Sequence, residues 1–193
     1  VGAVLNTAKI QPGNTVVVYG AGGVGLSIIM AAKLAGASKI IAVDTNETKG
    51  DIAQKFGATD FLLARPDTVR AIKKLTGGRG AGYVFEAVGL TAVQEECLEA
   101  VRPGGKVIYA GLSPMGSSTN LPAAIIARQE KTITGSYYGS ANTARDFPLY
   151  VDFYRKGQLD LESLISKRYP LEEINEAYAA MLSGETARGL IVF

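Results

Sequence analysis

A doubly wound α/β fold around a six-stranded parallel sheet, with a small α/β tail, is what this sequence predicts, and three observations carry the prediction. From residue 15 onward, short β-branched and nearly continuous apolar runs alternate with longer helical segments, the pattern of a parallel sheet covered by helices on both faces. Six such runs with five crossovers between them match a complete doubly wound fold. The first run leads directly into a glycine-rich turn, Gly20-Ala21-Gly22-Gly23-Val24-Gly25.

The strands read as TVVVYG (15–20), KIIAVD (39–44), DFLL (60–63), GYVFEAV (82–88), KVIYAG (106–111) and KTITGSY (131–137), lengths that suit strands better than helices. Between them lie VGLSIIMAAKLAG, ETKGDIAQKFG, DTVRAIKKLTGG, TAVQEECLEAVRPGG and LPAAIIARQE, several closed by the glycine that helix ends favour. After Tyr138 the rhythm changes to a helix over 145–156, an extended piece over 164–169, a helix over 171–183 and a final strand over 189–193. The division read from this is a sheet domain at 1–137 and a separate layer at 138–193.

At 193 residues and 47% hydrophobic content the chain can bury a sizeable core. Twenty basic residues against 18 acidic ones give a net charge of +2, which is no electrostatic footprint for nucleic acid or an anionic membrane. A small-molecule partner is the expectation. Cys97 stands alone and cannot form an internal disulfide, and no apolar run reaches the roughly 18 residues of a membrane span. A soluble, cytoplasmic protein is expected. The start, VGAVLNTAKI, lacks methionine and a secretory pattern and reads as mid-helix sequence, so a piece of something longer is expected.

The turn after the first strand fits G-x-G-x-x-G at the strand-to-helix junction where that spacing has mechanical meaning. Gly20 permits the tight turn, Gly22 lets a pyrophosphate approach the backbone, and Gly25 lets the helix pack on its strand. Free N–H groups at the helix start and the positive end of its dipole would hold the phosphates without a lysine in the loop. Strand, loop, helix, second strand and acid in this order predict a dinucleotide-binding Rossmann unit from Val16 to Asp44. Asp44 closes the second strand about 20 residues after the loop, where a carboxylate accepts hydrogen bonds from the adenosine ribose. Its charge would repel a 2′-phosphate, and neither Thr45 nor Asn46 supplies an arginine to receive one. NAD is therefore the cofactor read from the sequence. Lys49 either reaches the same ribose or is a solvated charge at a helix start.

Groups for the chemistry itself are sparse. The chain has no histidine, Cys97 reads as a small buried hydrophobe, and no zinc site or Ser-His-Asp arrangement can be assembled. Glu86, Glu95, Glu96 and Glu99 form no separated acid pair, the last three being a polar helix face. No catalytic residue and no metal ligand is assigned.

Taken together, Gly13-Asn14-Thr15-Val16, GAGGVGLS (20–27), IIAVD (40–44), FGATD (56–60), FEAVG (85–89), RPGGKVIYAG (102–111) and INEAYAAMLSGETARGLIVF (174–193) resemble the cofactor half of medium-chain, zinc-dependent alcohol dehydrogenases, over essentially the whole chain. The resemblance implies an oxidoreductase that moves hydride between an alcohol and an aldehyde or ketone. It implies an upstream catalytic domain carrying the zinc and the proton relay, a chain that begins in the connecting helix, and a carboxy-terminal stretch that returns to that domain. Carried over by motif, it implies that Gly20, Gly22, Gly23, Val24 and Gly25 hold the pyrophosphate, and Asp44 with Lys49 the ribose. Ala87, Val88, Ala110, Gly111 and Leu112 fall along the adenine and nicotinamide path, Tyr138 where backbone touches the carboxamide, and Arg188 where an arginine reaches the pyrophosphate. It further implies homodimer pairing through strand 131–137, and an apolar face around Ile174, Tyr178 and Met181 built against the upstream domain. On these terms the chain alone binds cofactor without turnover. A stand-alone nucleotide-binding or sensor module stays open, as does a zinc-free quinone or enoyl reductase, against which Asp44 argues.

Overall fold

Strand β1 (Thr15–Tyr19) lies inside a parallel sheet because its residues are apolar on both sides of the pleat, Val16, Val17 and Val18 all being fully buried. It pairs with β2 (Lys39–Asp44) on one side and β4 (Ala81–Glu86) on the other. With β3 (Asp60–Leu63), β5 (Val101–Tyr109) and β6 (Thr132–Gly135), the sheet has six strands in the order β3-β2-β1-β4-β5-β6, every pairing parallel. This is the doubly wound arrangement predicted, and its order reverses between β1 and β4. The computed structural model describes residues 1–184 and 187–193.

Alternate residues of each strand feed two cores. Val16, Val18, Ile40, Ala42, Phe85 and Ile108 pack with Leu26 and Ile29 of α1 (Gly23–Leu34). Val17, Ile41, Val84 and Val107 pack on the other face with Ile72 of α3 (Thr68–Leu75) and with Cys97 and Leu98 of α4 (Thr91–Ala100). Each large aliphatic side chain so buried contributes about 1.5–3 kcal/mol. Helix α2 (Gly50–Phe56) ends at Gly57, whose φ of 119° closes it in the left-handed region, and α5 (Ala123–Arg128) precedes the edge strand β6.

Several boundaries differ from the sequence reading for local reasons. The segment VRPGG belongs to β5 and not to the preceding helix: Val101 is already extended, Pro103 disfavours helix before it, and Gly104 has φ 67°. β4 stops at Glu86, so Ala87 and Val88 form a turn beyond the sheet. β6 spans four residues instead of seven, the flanking Lys131, Ser136 and Tyr137 lying outside it. The starting segment, Ala3–Ala8, is one π-helical turn closed by Lys9 at φ 57°.

In the tail, α6 (Thr143–Arg155) is capped by the Asn142 side chain, which accepts from the Arg145 N–H. A second, two-stranded parallel sheet joins β7 (Lys167–Pro170) to β8 (Gly189–Val192), bridged by α7 (Ile174–Ser183). The extended piece is thus shifted from 164–169 to 167–170. Tyr178, Met181, Leu182 and Phe193 are exposed, so the apolar face read at Tyr178 and Met181 is uncovered here. Glu185 and Thr186 of the GETARG motif lie outside the described residues. Among the described residues no helix is long and apolar enough to cross a membrane.

Candidate functional site

Where the strand order reverses, loops after β1 and β4 diverge to opposite faces and leave a crevice beyond the carboxyl ends of the strands. The glycine loop forms its floor. Gly20 has φ 93°, and its N–H donates to the Val43 carbonyl at 2.8 Å, so the chain turns sharply off β1 while tied to β2. A Cβ on Gly25 would stand 1.7 Å from the Gly20 carbonyl oxygen, so any side chain there would push α1 off the loop. Gly22 precedes α1 with extended geometry and provides no side-chain cap. The first-turn N–H groups therefore face the crevice without a side-chain partner, and α1 has the length to present a dipole. No atom lies within 4 Å of a Cβ built on Gly22, the open approach a pyrophosphate needs.

Asp44 ends β2 at 8% exposure. Its Oδ2 accepts the Ala21 N–H at 2.7 Å and lies 3.4 Å from Lys49 Nζ, while Oδ1 accepts the Asn46 N–H at 2.9 Å. The carboxylate thus braces the glycine loop, and the residues it holds, Ala21, Asn46 and Lys49, line a cavity of about 200 Å³ together with Gly22, Ser166 and Ala187. Lys49, in a single 3₁₀ turn at 47–49, is brought to Asp44 instead of standing as a free surface charge.

Arg188 reaches the loop from the far end of the chain. Ser166 holds it there: its backbone N–H donates to the Arg188 carbonyl at 2.8 Å, and its hydroxyl accepts the Ala187 N–H at 2.9 Å. A Cβ on Gly23 would lie 2.7 Å from the Ala187 carbonyl oxygen and 3.2 Å from Arg188 Nη2. Gly23 therefore admits the tail and its guanidinium over the loop.

The groove continues past Gly23 and Val24 into a second cavity of about 420 Å³, whose lining includes Ala110, Leu112, Ser136, Tyr138, Gly139 and Arg188. The two cavities sit on either side of the loop and are bridged by Ala187 and Arg188. Of the remaining sequence-read positions, Ala87 and Val88 line neither cavity; they support the loop, Val88 Cγ2 lying 2.9 Å from a Cβ built on Gly20. Gly111 faces a neighbouring hydroxyl-lined recess with Ser113, Ser117 and Thr119.

Four residues that fix this shape, Glu86, Asn6, Thr7 and Asp146, have no place in the site as read from the sequence, where Glu86 figures only as a carboxylate without an acid partner. Glu86 is fully buried, and its Oε1 accepts the Val88 and Gly89 N–H groups at 2.7 and 2.6 Å, which fixes the turn after β4. A lone charge in the apolar run YVFEAV was the signal available for it. Thr7 and Asn6 reach the turn at 136–140, and no local pattern announces that contact. Asp146 is buried beneath them, and its hydrogen bond from Arg145 holds its carboxyl below the usual carboxylate range. Burial pushes the Cys97 thiol well up, consistent with a packed hydrophobe.

Chemically, the groove offers backbone donors, the Lys49 ammonium and the Arg188 guanidinium for an elongated anionic ligand, with the Asp44 carboxylate beside Lys49. Among the described residues no three His, Cys, Asp or Glu side chains gather to hold a metal ion. A family model described as zinc-binding dehydrogenase matches residues 23–156. Alcohol dehydrogenase-like 2 of Arabidopsis thaliana is 36% identical over 98% of this chain and 50% of its own length. The benzyl alcohol dehydrogenase structure from Acinetobacter calcoaceticus superposes with TM-score 0.94 at 32% identity, covering 98% of this chain and 52% of that one. A putative zinc-binding dehydrogenase from Sinorhizobium meliloti 1021, bound to NADP, gives TM-score 0.83 at 26% identity over 91% of this chain and 51% of that one. The chain spans about half the length of the relatives it matches.

Proposed function

The chain belongs to the zinc-binding dehydrogenase family, and on that premise we propose that it is the NAD(H)-binding portion of an alcohol dehydrogenase. The observation that carries the reading is the glycine loop with Asp44 beside it at the point where the strand order reverses. The backbone N–H groups that open α1, with Arg188 above Gly23, hold the pyrophosphate. Asp44 accepts from the ribose hydroxyls through the lone pairs left after Ala21 and Asn46, and Lys49, 3.4 Å away, helps hold it in place. Ala110, Leu112 and the turn at Tyr138 enclose the other end.

The cofactor supplies the hydride acceptor or donor; the residues of this chain bind, orient and shelter it. The zinc of the family name finds no ligand set among the described residues, so no step here runs through a metal. Alcohol and carbonyl exchange belongs, in this proposal, to the complete cytoplasmic enzyme, with residues 1–137 as cofactor domain and 138–193 as the return to a catalytic domain outside this chain. The chain alone then binds without turnover. The open edge of β6 is proposed as the homodimer contact, in keeping with its single partner strand β5.

Titration calorimetry of the chain with NADH and NADPH tests the reading. NADH is expected to bind at least about tenfold more tightly, since the 2′-phosphate of NADPH would meet the Asp44 charge. Asp44→Asn, which keeps an acceptor for the loop, is expected to erase that preference. Equal or tighter NADPH binding would replace NAD by NADP, the cofactor held by one structural relative; binding of neither would remove the proposal.

A further inference from the structure

The backbone at 138–140 is unusual for non-glycine residues. Tyr138, Gly139 and Ser140 take φ values of 46°, 69° and 48° in succession. Glycine accepts this region freely, whereas Tyr138 and Ser140 adopt it against the crowding of their own Cβ atoms. Such a conformation persists only where its surroundings over-determine it. Within the turn, one hydrogen bond from the Ser140 N–H to the Tyr137 carbonyl at 3.0 Å does part of this.

The rest comes from the first eight residues. A Cβ on Gly2 would stand 2.3 Å from the Gly139 carbonyl oxygen, so the two glycines meet backbone to backbone. Asn6 Nδ2 donates to that same carbonyl at 3.3 Å and to Asp146 Oδ2 at 2.9 Å. Thr7 Oγ1 lies 2.9 Å from Ser136 Oγ and 2.8 Å from Ser140 Oγ. A hydroxyl has one proton to donate and lone pairs to accept with, so Thr7 can donate to one serine and accept from the other. Ser136 and Ser140 flank the turn on its two sides, and both Ser136 and Tyr138 line the larger cavity of the groove.

We propose that Thr7 is a positioning residue for the nicotinamide end of the cofactor: its hydroxyl staples Ser136 to Ser140 and so holds the left-handed turn at Tyr138 in the shape that receives the ring's carboxamide. The proposal rests on the reading above that the groove takes NAD(H). Its distinguishing property is location. The staple lies at the Tyr138 end, so it governs the nicotinamide part of the ligand and leaves the ADP-ribose part, held by the glycine loop and Asp44, unaffected.

The test uses the whole chain, with NADH and ADP-ribose titrated separately by calorimetry and hydrogen exchange of the Ser140 amide followed by NMR. Thr7→Val keeps the branched shape and removes the hydroxyl; Thr7→Ser restores the hydroxyl. Thr7→Val is expected to weaken NADH by about three- to tenfold, the effect of losing a partly buried hydrogen bond, while ADP-ribose changes by less than about twofold. Ser140 exchange should quicken in Thr7→Val and recover in Thr7→Ser, and so should NADH affinity. Equal weakening of both ligands would mean general damage to the fold and overturn the proposal, as would unchanged NADH affinity. If the unsubstituted chain binds neither ligand, the cofactor reading falls on its own. In that case faster Ser140 exchange with recovery in Thr7→Ser still supports the staple, and unchanged exchange overturns it.

Discussion

The two ends of the groove are built in opposite ways. The end at Asp44 has its frame in one contiguous stretch, β1, loop, α1 and β2, over which the tail lays Ala187 and Arg188, and its key contact, Asp44 with the Ala21 N–H, spans 23 residues. The end at Tyr138 is assembled from segments far apart in the chain: Thr7 meets Ser136 across 129 residues, and Asn6 meets Asp146 across 140. The first is steric and rigid, set by Gly20, Gly23 and Gly25, where a Cβ would collide with its neighbours; the second is polar and adjustable, set by hydroxyls, an amide and one buried acid. Shape at the phosphate end thus comes mainly from main chain braced by Asp44, and shape at the other end from side chains recruited by the fold.

Substitutions separate the two ends. The largest effect is expected at the rigid one: Gly25→Ala puts a methyl 1.7 Å from the Gly20 carbonyl. It should destabilise the chain by about 3 kcal/mol or more, the upper range for overpacking, and lower the melting temperature by roughly 6–12 °C in calorimetry. Wild-type melting in that variant would sink the rigid half of the comparison. Next comes Arg188→Ala, in which a guanidinium over the loop is lost. NADH and ADP-ribose are both expected to weaken by roughly tenfold, the effect of a charge-assisted hydrogen bond. A loss confined to NADH would place Arg188 with the adjustable end instead.

The smallest expected effect concerns acid. The Asp146 carboxyl is held below its ordinary value of 3.8, first by its hydrogen bond from Arg145 and also by Asn142 and Asn6. A depressed carboxylate contributes stability that is fully present above the unfolded value and is lost as pH falls through the folded one. Urea midpoints measured below pH 4 should therefore fall more steeply for the native chain than for Asp146→Asn, and the protection of the Ser140 amide, relative to its intrinsic exchange rate at each pH, should fall over the same range. Parallel acid slopes for the two chains would remove Asp146 from the support of the Tyr138 turn.

Much of this molecule is legible in its sequence. The parallel sheet and its six strands followed from apolar runs of strand length, and the glycine loop from spacing at a strand end. Both are local patterns that the backbone obeys whatever the distant chain does. Misplaced boundaries have equally local causes: Pro103 and the positive φ of Gly104 carry VRPGG into β5, and the Glu86 carboxylate turns Ala87 and Val88 out of the sheet. Arg188 was anticipated through family resemblance, but its seat over Gly23 depends on Ser166 and the β7–β8 pair.

By itself, then, the sequence determined the sheet, its helices, the glycine loop and the place of Asp44, because burial periodicity and the steric demands of glycine act over a few residues. Only the tertiary structure decided what closes the other end. Thr7, Asn6, Ser136 and Asp146 are ordinary polar residues with no periodicity or motif of their own. Their role arises where the opening turn of the chain packs on residues 136–146, a contact whose partners are distant in sequence and adjacent only in the fold.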